Sequence, residues 1–263
     1  MTTILQISDT HIVRQGALVS GQLDTAAALT RLVDRLISIR EQLGVIDAVV
    51  VSGDLTDDGA PESYDRFKTL LAPLDLSLLV IPGNHDAHDR MRAAFADQFA
   101  PSGALNWVTQ VGELTVIGLD TLVEGAGEGT LSAPSLTFLG QALDGAKDRP
   151  VLLAMHHPPF LSGVGFMDAI GLTNRAAFCN VVAGHKTPLR VICGHIHSMM
   201  VADVAGHIAI SAPSPCSTIA TDRRPDAPVG FHALEDGCLI HRWNAGFQTT
   251  RIGPDAGPGP FPF

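Results

Sequence analysis

Five short segments of the sequence place carboxylate, amide or imidazole side chains within a few residues of one another. They are Asp9-Thr10-His11, Gly53-Asp54, Gly83-Asn84-His85-Asp86, His156-His157 and Gly194-His195-Ile196-His197. Carboxylate and amide oxygens with imidazole nitrogens form a ligand set that suits Mn, Fe, Zn or Co, and it lacks the thiolates of a structural zinc site. Taken singly, each segment is weak evidence for a metal site, because a lone histidine is more often a core residue whose hydrogen bonds are satisfied. Together they offer too many ligands for one ion and suit two divalent ions that share a carboxylate, ~3.5–4 Å apart.

Each of these segments follows a short apolar run that predicts a buried strand. The predicted strands cover residues 3–7, 48–51, 78–81, 151–154 and 189–192, and apolar periodicity predicts helices over 24–43, 61–71, 89–98, 134–143 and 175–183. Further strands are predicted over 114–119, 199–204, 207–211, 230–234 and 238–243. Alternating strands and helices indicate a layered α/β domain, in which sites form at the carboxyl ends of the strands. Segment 160–174, which contains three glycines, is expected to be a mobile loop over the site.

The composition excludes two classes of function. The chain has 263 residues with 17 Lys and Arg against 27 Asp and Glu, a formal net charge of −10, and no basic stripe for binding a nucleic-acid polymer. Bound metal is therefore the expected source of positive charge for any phosphate chemistry. No apolar run reaches the ~18 residues of a membrane span, and the start of the chain lacks the features of a signal peptide. We expect a protein without a membrane partner.

Cysteine spacing and apolar content lead to two further expectations. The four cysteines are widely separated and form no C-x-x-C motif, which predicts reduced thiols in a cytoplasmic protein. Hydrophobic residues make up 46% of the chain, and its 26 glycines bring this share to roughly 56%. The usual share with glycine included is ~45–50%. This surplus favours a homodimer or higher homo-oligomer. We expect one domain over 1–252 and a Gly/Pro-rich C-terminal tail over 253–263.

The motifs D-x-H, G-D, G-N-H-D, H-H and G-H-x-H, in this order, resemble those of the calcineurin-like metallophosphoesterases. The resemblance runs from about Thr3 to Ser211. Within that superfamily, Met155-His156-His157-Pro158-Pro159 and the following Met167-Asp168-x-Ile170-x-Leu172-x-Asn174 are most similar to bacterial class III cyclic-nucleotide phosphodiesterases and the related glycerophosphodiesterase. The resemblance implies an α/β fold of four layers, αββα, in which two mixed β-sheets are flanked by helices and the metal site lies at strand carboxyl ends.

The resemblance also implies roles for individual residues. Asp9, His11 and His197 would hold the first metal, Asn84, His156 and His195 the second, and Asp54 would bridge the two. A bridging hydroxide would attack phosphorus in line, and Asn84 and His85 would bind the substrate. His85 would assist the leaving oxygen, and Asp86 would orient His85. Because Asn84 is a neutral ligand, we expect the second metal to be held more weakly.

The surroundings of the central motifs favour a diester substrate over a monoester. The related protein Ser/Thr phosphatases carry arginines near these motifs that clamp a phosphate dianion, whereas this chain has Asp58 and Pro82 at those places. We expect hydrolysis of a small phosphodiester, such as a cyclic nucleotide or a glycerophosphodiester. Segment 213–218 lacks a histidine that the glycerophosphodiesterase has, which leaves the substrate open. The alternatives are a broad phosphomonoesterase or nucleotidase on the same scaffold, and a non-catalytic scaffold.

Overall fold

Two mixed β-sheets pack face to face in the computed structural model, which describes residues 1–146, 148–259 and 261–262. The strands in chain order are β1 (Thr2–Ile7), β2 (Ala48–Ser52), β3 (Leu78–Ile81), β4 (Trp107–Val111), β5 (Leu114–Leu119), β6 (Val151–Met155), β7 (Leu189–Cys193), β8 (Met200–Val204), β9 (His207–Ser211), β10 (Thr218–Ile219), β11 (Phe231–His232), β12 (Cys238–Trp243) and β13 (Phe247–Ile252). The first sheet has the order β13-β12-β1-β2-β3 and the second β4-β5-β6-β7-β9-β8, while β10 and β11 form a separate hairpin.

Helices cover the outer faces of both sheets. They are α1 (Thr25–Ser38), α2 (Arg40–Leu43), α3 (Pro61–Leu71), α4 (His88–Ala94), α5 (Ala133–Gly145), α6 (Gly165–Ala169) and α7 (Arg175–Val182), with a 3-10 helix over Ala72–Leu74. Leu29 and Phe67 of α1 and α3 pack on the first sheet, and Leu139 and Phe178 of α5 and α7 pack on the second. The expected four-layer αββα sandwich is confirmed.

The contact between the two sheets is apolar. Leu152, Ala154 and Ile192 of the second sheet belong to the same buried cluster as Leu5 and Val50 of the first. Continuous apolar strands such as β2 and β6 are expected where both faces of a sheet are covered. Since burial of such side chains stabilises a fold by about 1.5–3 kcal/mol each, this layer fixes how the sheets lie against each other.

Parallel strands bring the predicted motifs to one edge of the sandwich. In the first sheet β1, β2 and β3 run parallel, and in the second β5, β6, β7 and β9 do so. The five strands predicted before the polar motifs are all present within a residue or two of their expected bounds. Their carboxyl ends therefore point toward a shared crevice.

Several local predictions differ from the structure. The predicted helix 24–43 is interrupted at Ile39, whose φ of −109° ends α1 before α2 begins. The strands β4 and β13 were not expected: both are edge strands with half-exposed patterns and lack a continuous apolar run. Segment 160–174 contains the helix α6.

The described part of the C-terminal segment, 253–259 and 261–262, contains no helix or strand, and Pro260 and Phe263 lie outside the described residues. The four cysteines are free, as expected. Among the described residues, no helix has the length and apolar character needed to cross a membrane.

His88 links the segment after β3 to the second sheet. Its Nε2 lies 2.8 Å from Oδ2 of Asp120, which follows β5, and its Nδ1 lies 3.2 Å from Glu124. The buried Asp120 carboxylate also accepts hydrogen bonds from the backbone N–H groups of Leu105 and Leu122. The hydrogen bond to Asp120 raises the pKa of His88 above 6.5, with a further contribution from Glu124.

His88→Ala is expected to destabilise the protein more in acid than in alkaline solution. Since the folded pKa of His88 is raised, its ion pair stabilises the fold fully below the unfolded pKa of 6.5 and this contribution is lost as the pH rises through the folded value. Urea unfolding at about pH 5.5 and about pH 9 measures the difference between wild type and variant. His232→Ala, on the exposed hairpin, is the control. An equal difference at both pH values would contradict the ion-pair interpretation.

Candidate metal centre

The ends of five strands bring the seven predicted metal ligands together. Asp9 and His11 follow β1, Asp54 follows β2, Asn84 follows β3, His156 follows β6, and His195 and His197 follow β7. Asp9, Asp54, His156 and His195 are buried almost completely. The crevice between the sheets thus contains the whole set expected from the sequence.

A left-handed backbone conformation turns most of these side chains toward one another. Nine non-glycine residues have a positive φ among the described residues, and five of them are predicted ligands: Asp9, His11, Asp54, His195 and His197, with φ between 45° and 71°. This conformation is uncommon for residues other than glycine and is found mostly with Asn, Asp and His. Such strained positions cluster at functional sites. Here they end the strands abruptly and direct both carboxylates and imidazoles into the crevice.

Two glycines allow the motifs to approach closely. A Cβ at Gly83 would lie 2.2 Å from the backbone nitrogen of Asp54, and one at Gly194 would lie 2.1 Å from Oγ of Ser8 and 2.7 Å from Oδ2 of Asp9. No side chain fits at these separations. The glycine in each motif is therefore required because neighbouring strand ends touch there.

The first group of ligands consists of Asp9, His11, Asp54 and His197, whose ligand atoms all lie within 4.8 Å of one another. The Nε2 atoms of His11 and His197 are 3.1 Å apart, and Nε2 of His197 lies 3.5 Å from Oδ1 of Asp9. Oδ2 of Asp9 is buried and has no hydrogen-bond partner among the described residues. A buried carboxylate oxygen without a partner is costly, and a cation satisfies it. The donor set of this group therefore fits a divalent metal ion.

The second group converges on the amide oxygen of Asn84. Oδ1 of Asn84 lies 3.1 Å from Nε2 of His156 and 2.9 Å from Nδ1 of His195. Oδ2 of Asp54 lies 3.4 Å from Nε2 of His156 and 3.6 Å from Nε2 of His11. Asp54 thus stands between the two groups, as the bridging role requires.

Hydrogen bonds on the far side of three of the imidazoles, those of His156, His197 and His11, fix their orientation. Nδ1 of His156 donates to the carbonyl of Ser52 at 2.9 Å, which leaves Nε2 facing Asn84. Nδ1 of His197 is 2.9 Å from Oγ of Ser217, and Nδ1 of His11 is 3.1 Å from Oδ1 of Asp57. Partners of this kind hold the ring in the tautomer that presents a free nitrogen to a metal.

Burial and charge set the protonation states in the crevice. Burial lowers the pKa of His197 to about 4, so that its ring is neutral, the form that binds metals. Burial alone would raise the pKa of Asp54, but His156 and His11 hold it well below its usual range. Asp54 is therefore ionised and available as an anionic ligand.

His157 lies beside His156 and His195 of the second group, but both of its ring nitrogens are hydrogen-bonded to other residues. Nε2 lies 3.1 Å from the carbonyl of Gly127, which can only accept, and Nδ1 lies 2.8 Å from the hydroxyl of Thr121. Burial lowers the pKa of His157 to about 3. The ring therefore packs behind His195, 4.6 Å between centroids, as a neutral support.

The orientation of His85 corrects one expectation. Nδ1 of His85 donates to the carbonyl of Asp57 at 3.1 Å and lies 3.4 Å from its carboxylate. The Asp86 carboxylate instead accepts from the N–H groups of Gly83 and Leu55, at 2.9 and 3.2 Å, and from the hydroxyl of Tyr64. The prediction that Asp86 orients His85 is wrong: Asp86 holds the loop together from beneath, and Asp57 contacts the ring.

Sequence reasoning overlooked Asp57, which contacts both His11 and His85. It follows Asp54 by three residues in Gly53-Asp54-Leu55-Thr56-Asp57. A second carboxylate so close to a predicted ligand was a signal that could have suggested this role.

A cavity of about 680 Å³, measured with its open mouth, lies over the ligands. His11, Asp54, Asn84, His195 and His197 form its floor, and Asp57 and His85 lie on its wall. No lysine or arginine of the described residues lines it. Cations bound by the floor would therefore provide its positive charge.

Asp54→Ala is expected to abolish binding of both metal ions, because Asp54 Oδ2 contacts a ligand of each group. Asp58→Ala is the matched control, since the Asp58 carboxylate accepts from the backbone of Ala60 in the next turn and should retain two ions per chain. Dialysis against limiting Mn²⁺ followed by elemental analysis gives the stoichiometry. Because Asn84 is a neutral ligand, one of the two ions in the wild type is expected to be released first. Full metal content in Asp54→Ala would refute the bridging assignment.

Comparisons with known proteins agree with this geometry. The chain is 32% identical over 265 residues to a probable glycerophosphodiester phosphodiesterase of Arcobacter nitrofigilis, covering 98% of this chain and 96% of the relative. It is 34% identical to a 3',5'-cyclic adenosine monophosphate phosphodiesterase of Pseudomonas aeruginosa, covering 82% of this chain and 77% of the relative. A dimetal phosphatase structure from Danio rerio has the same fold, with a TM-score of 0.61, 17% identity and coverage of 97% and 99% of the two chains.

A family model described as calcineurin-like phosphoesterase matches residues 2–199, which include all seven predicted ligands. The match covers most of the chain and includes the residues whose side chains meet in the crevice. The chain belongs to the calcineurin-like phosphoesterase family.

Proposed function

We propose that the protein is a metal-dependent hydrolase of small phosphodiesters. The two relatives named above carry the names of a probable glycerophosphodiester phosphodiesterase and of a cyclic adenosine monophosphate phosphodiesterase. The observation that carries the proposal is the wall of the cavity: it contains the carboxylate of Asp57 and neither lysine nor arginine among the described residues. A monoester dianion binds best where arginine donors supplement the metal charge. A diester carries one negative charge fewer and is the better match to this wall.

The proposed ligands are Asp9, His11, Asp54, Asn84, His156, His195 and His197. When bound, two divalent cations would supply positive charge for the phosphate and lower the pKa of the attacking water. The strand ends hold the ligands in place, and outer hydrogen bonds keep the imidazoles of His11, His156 and His197 in the required tautomer. The chain itself thus contributes positioning before any substrate arrives.

His85 is the proposed acid that assists departure of the leaving oxygen. It lies on the cavity wall and keeps a proton on Nδ1 through its hydrogen bond to the Asp57 carbonyl. This leaves Nε2 as the nitrogen that faces substrate chemistry. The Asp57 carboxylate compensates the positive charge of the ring when Nε2 is protonated, and Nε2 can then hydrogen-bond the phosphate or donate its proton.

The metals, the assembly and the location are further parts of the proposal. The mixed nitrogen and oxygen ligands support Mn, Fe, Zn or Co. Four free cysteines support a cytoplasmic location. The high apolar content of the chain supports association into a homodimer or larger homo-oligomer.

A paired assay tests the substrate class. After reconstitution with Mn²⁺, hydrolysis of bis(p-nitrophenyl) phosphate is expected to exceed that of p-nitrophenyl phosphate by about tenfold or more in kcat/KM, a difference of about 1.4 kcal/mol. Excess chelator should abolish both activities. Preference for the monoester would show that the cavity wall does not exclude a dianion, and chelator-resistant activity would show that the metal centre is not required.

His85→Ala is expected to reduce kcat by about 10²–10⁴-fold, the usual contribution of a general acid, while both metal ions remain bound. The loss should be smaller for p-nitrophenyl esters than for an alkyl diester, since a good leaving group needs little protonation. His185→Ala, in the loop after α7, is the control. Loss of metal from His85→Ala, measured by elemental analysis, would instead place His85 among the ligands.

A further inference from the structure

Apart from Asp57, His85 and two serines, the side walls of the cavity are apolar, and this apolar part comes from three segments that are distant in sequence. Val19 and Leu23 belong to the loop before α1, Phe166 to α6, and Ile219 and Phe231 to the β10–β11 hairpin. The floor, by contrast, is polar throughout. The cavity therefore separates a reacting centre from a wall that can contact only the organic part of a substrate.

Two phenyl rings remain partly exposed on this wall. Phe166 is 42% exposed and Phe231 38%, although both line a concave surface. They belong to separate elements, and the elements are joined through Ile219: it is paired with Phe231 across the hairpin and packs on the buried cluster of Val164, Met167 and Ile196. This contact packs α6 and the hairpin against each other. The elements that carry the two rings are therefore held together at the cavity.

The polar groups on the walls are few and mostly engaged. Ser217 uses its hydroxyl toward Nδ1 of His197, and Asp57 contacts His11 and His85. Ser20 is the remaining hydroxyl of the described lining. A glycerol or ammonium group bound here would lose its water without gaining equivalent partners, which is costly. An aromatic ring would lose little and would gain contact with Phe166 and Phe231.

We propose that Phe166 and Phe231 bind an aromatic substituent of the diester and thereby determine the specificity of the site. The substrates selected would carry a flat ring, such as an aryl group or a nucleobase, on the phosphate or on the sugar attached to it. Diesters with only small polyol or cationic substituents would bind poorly. This inference rests on the proposed function, since it concerns the organic part of the same diester.

Equilibrium binding tests the inference without requiring turnover. Diphenyl phosphate and dimethyl phosphate carry the same single charge and differ in their substituents. Calorimetric titration of the Mn²⁺-loaded protein is expected to show about tenfold or tighter binding of diphenyl phosphate, since stacking on an aromatic side chain contributes about 1–3 kcal/mol. Equal affinity for the two diesters would overturn the inference.

Substitutions identify the residues responsible. Phe166→Ala and Phe231→Ala should each weaken diphenyl phosphate binding about five- to tenfold and leave dimethyl phosphate binding unchanged. Phe261→Ala is the matched control, since Phe261 is 75% exposed in the C-terminal segment and is not among the lining residues. Equal weakening of both diesters, or of neither, would overturn the assignment. Metal content and thermal unfolding of each variant establish that the centre and the fold are intact.

Kinetics separates failure of the inference from failure of the proposed function. Bis(p-nitrophenyl) and methyl p-nitrophenyl phosphate share a leaving group, so the ratio of their kcat/KM values in each variant relative to wild type reports the other substituent. Turnover of both esters with ratios that the two substitutions do not change would overturn the inference and leave the proposed function standing. No turnover of either ester, with selective binding of diphenyl phosphate retained, would overturn the proposed function and support the aromatic site.

Discussion

The buried carboxylate of Asp54 is the centre around which the site is arranged. It lies between the imidazoles of His11 and His156, which belong to different ligand groups. An ionised carboxylate cannot remain in the interior without compensating charge. Asp9 is a second buried carboxyl group, and its Oδ2 has no partner among the described residues. His156 and His11 compensate the charge of Asp54, whereas Oδ2 of Asp9 has no such compensation. These two buried carboxylates give the site its affinity for cations.

The ligands are oriented by hydrogen bonds that continue into the sheets. Nδ1 of His156 donates to the Ser52 carbonyl, and Oγ of Ser52 accepts from Nε2 of Gln6 at 2.8 Å. Oε1 of Gln6 in turn lies 2.8 Å from Nε2 of His241 on β12. A chain of polar groups thus crosses an otherwise apolar sheet and ends at His156, a proposed metal ligand. Because buried polar groups need their partners, this chain couples the pairing of β12 with β1 to the geometry of the centre.

Sequence reasoning brought the candidate ligands together because chemistry constrains their type and parallel strands constrain their place. Asp9, Asp54 and His195 each lie within three residues of the end of an apolar run. Their place after parallel strands suffices to bring such residues to one edge of the sheets. It failed where a contact depends on side-chain direction. Asp86 follows His85 directly, yet its carboxylate points toward the backbone of Gly83, whereas Asp57, distant along the chain, reaches the ring. The edge strands β4 and β13 were missed because a half-exposed strand leaves only a weak apolar pattern.

The polar floor and the largely apolar walls of the cavity are formed by different kinds of element. The floor consists of residues at strand ends, where the sheets fix the backbone. Several of these residues have a left-handed backbone with φ between 45° and 71°. A change there would disturb metal ligands and sheet packing together. The walls come from the loop before α1, which has a small apolar cluster of its own, and from α6 and the β10–β11 hairpin, which share another. Loops on a rigid scaffold can vary without loss of the core, so substitutions in these walls can change which diester enters while the reacting centre stays as it is.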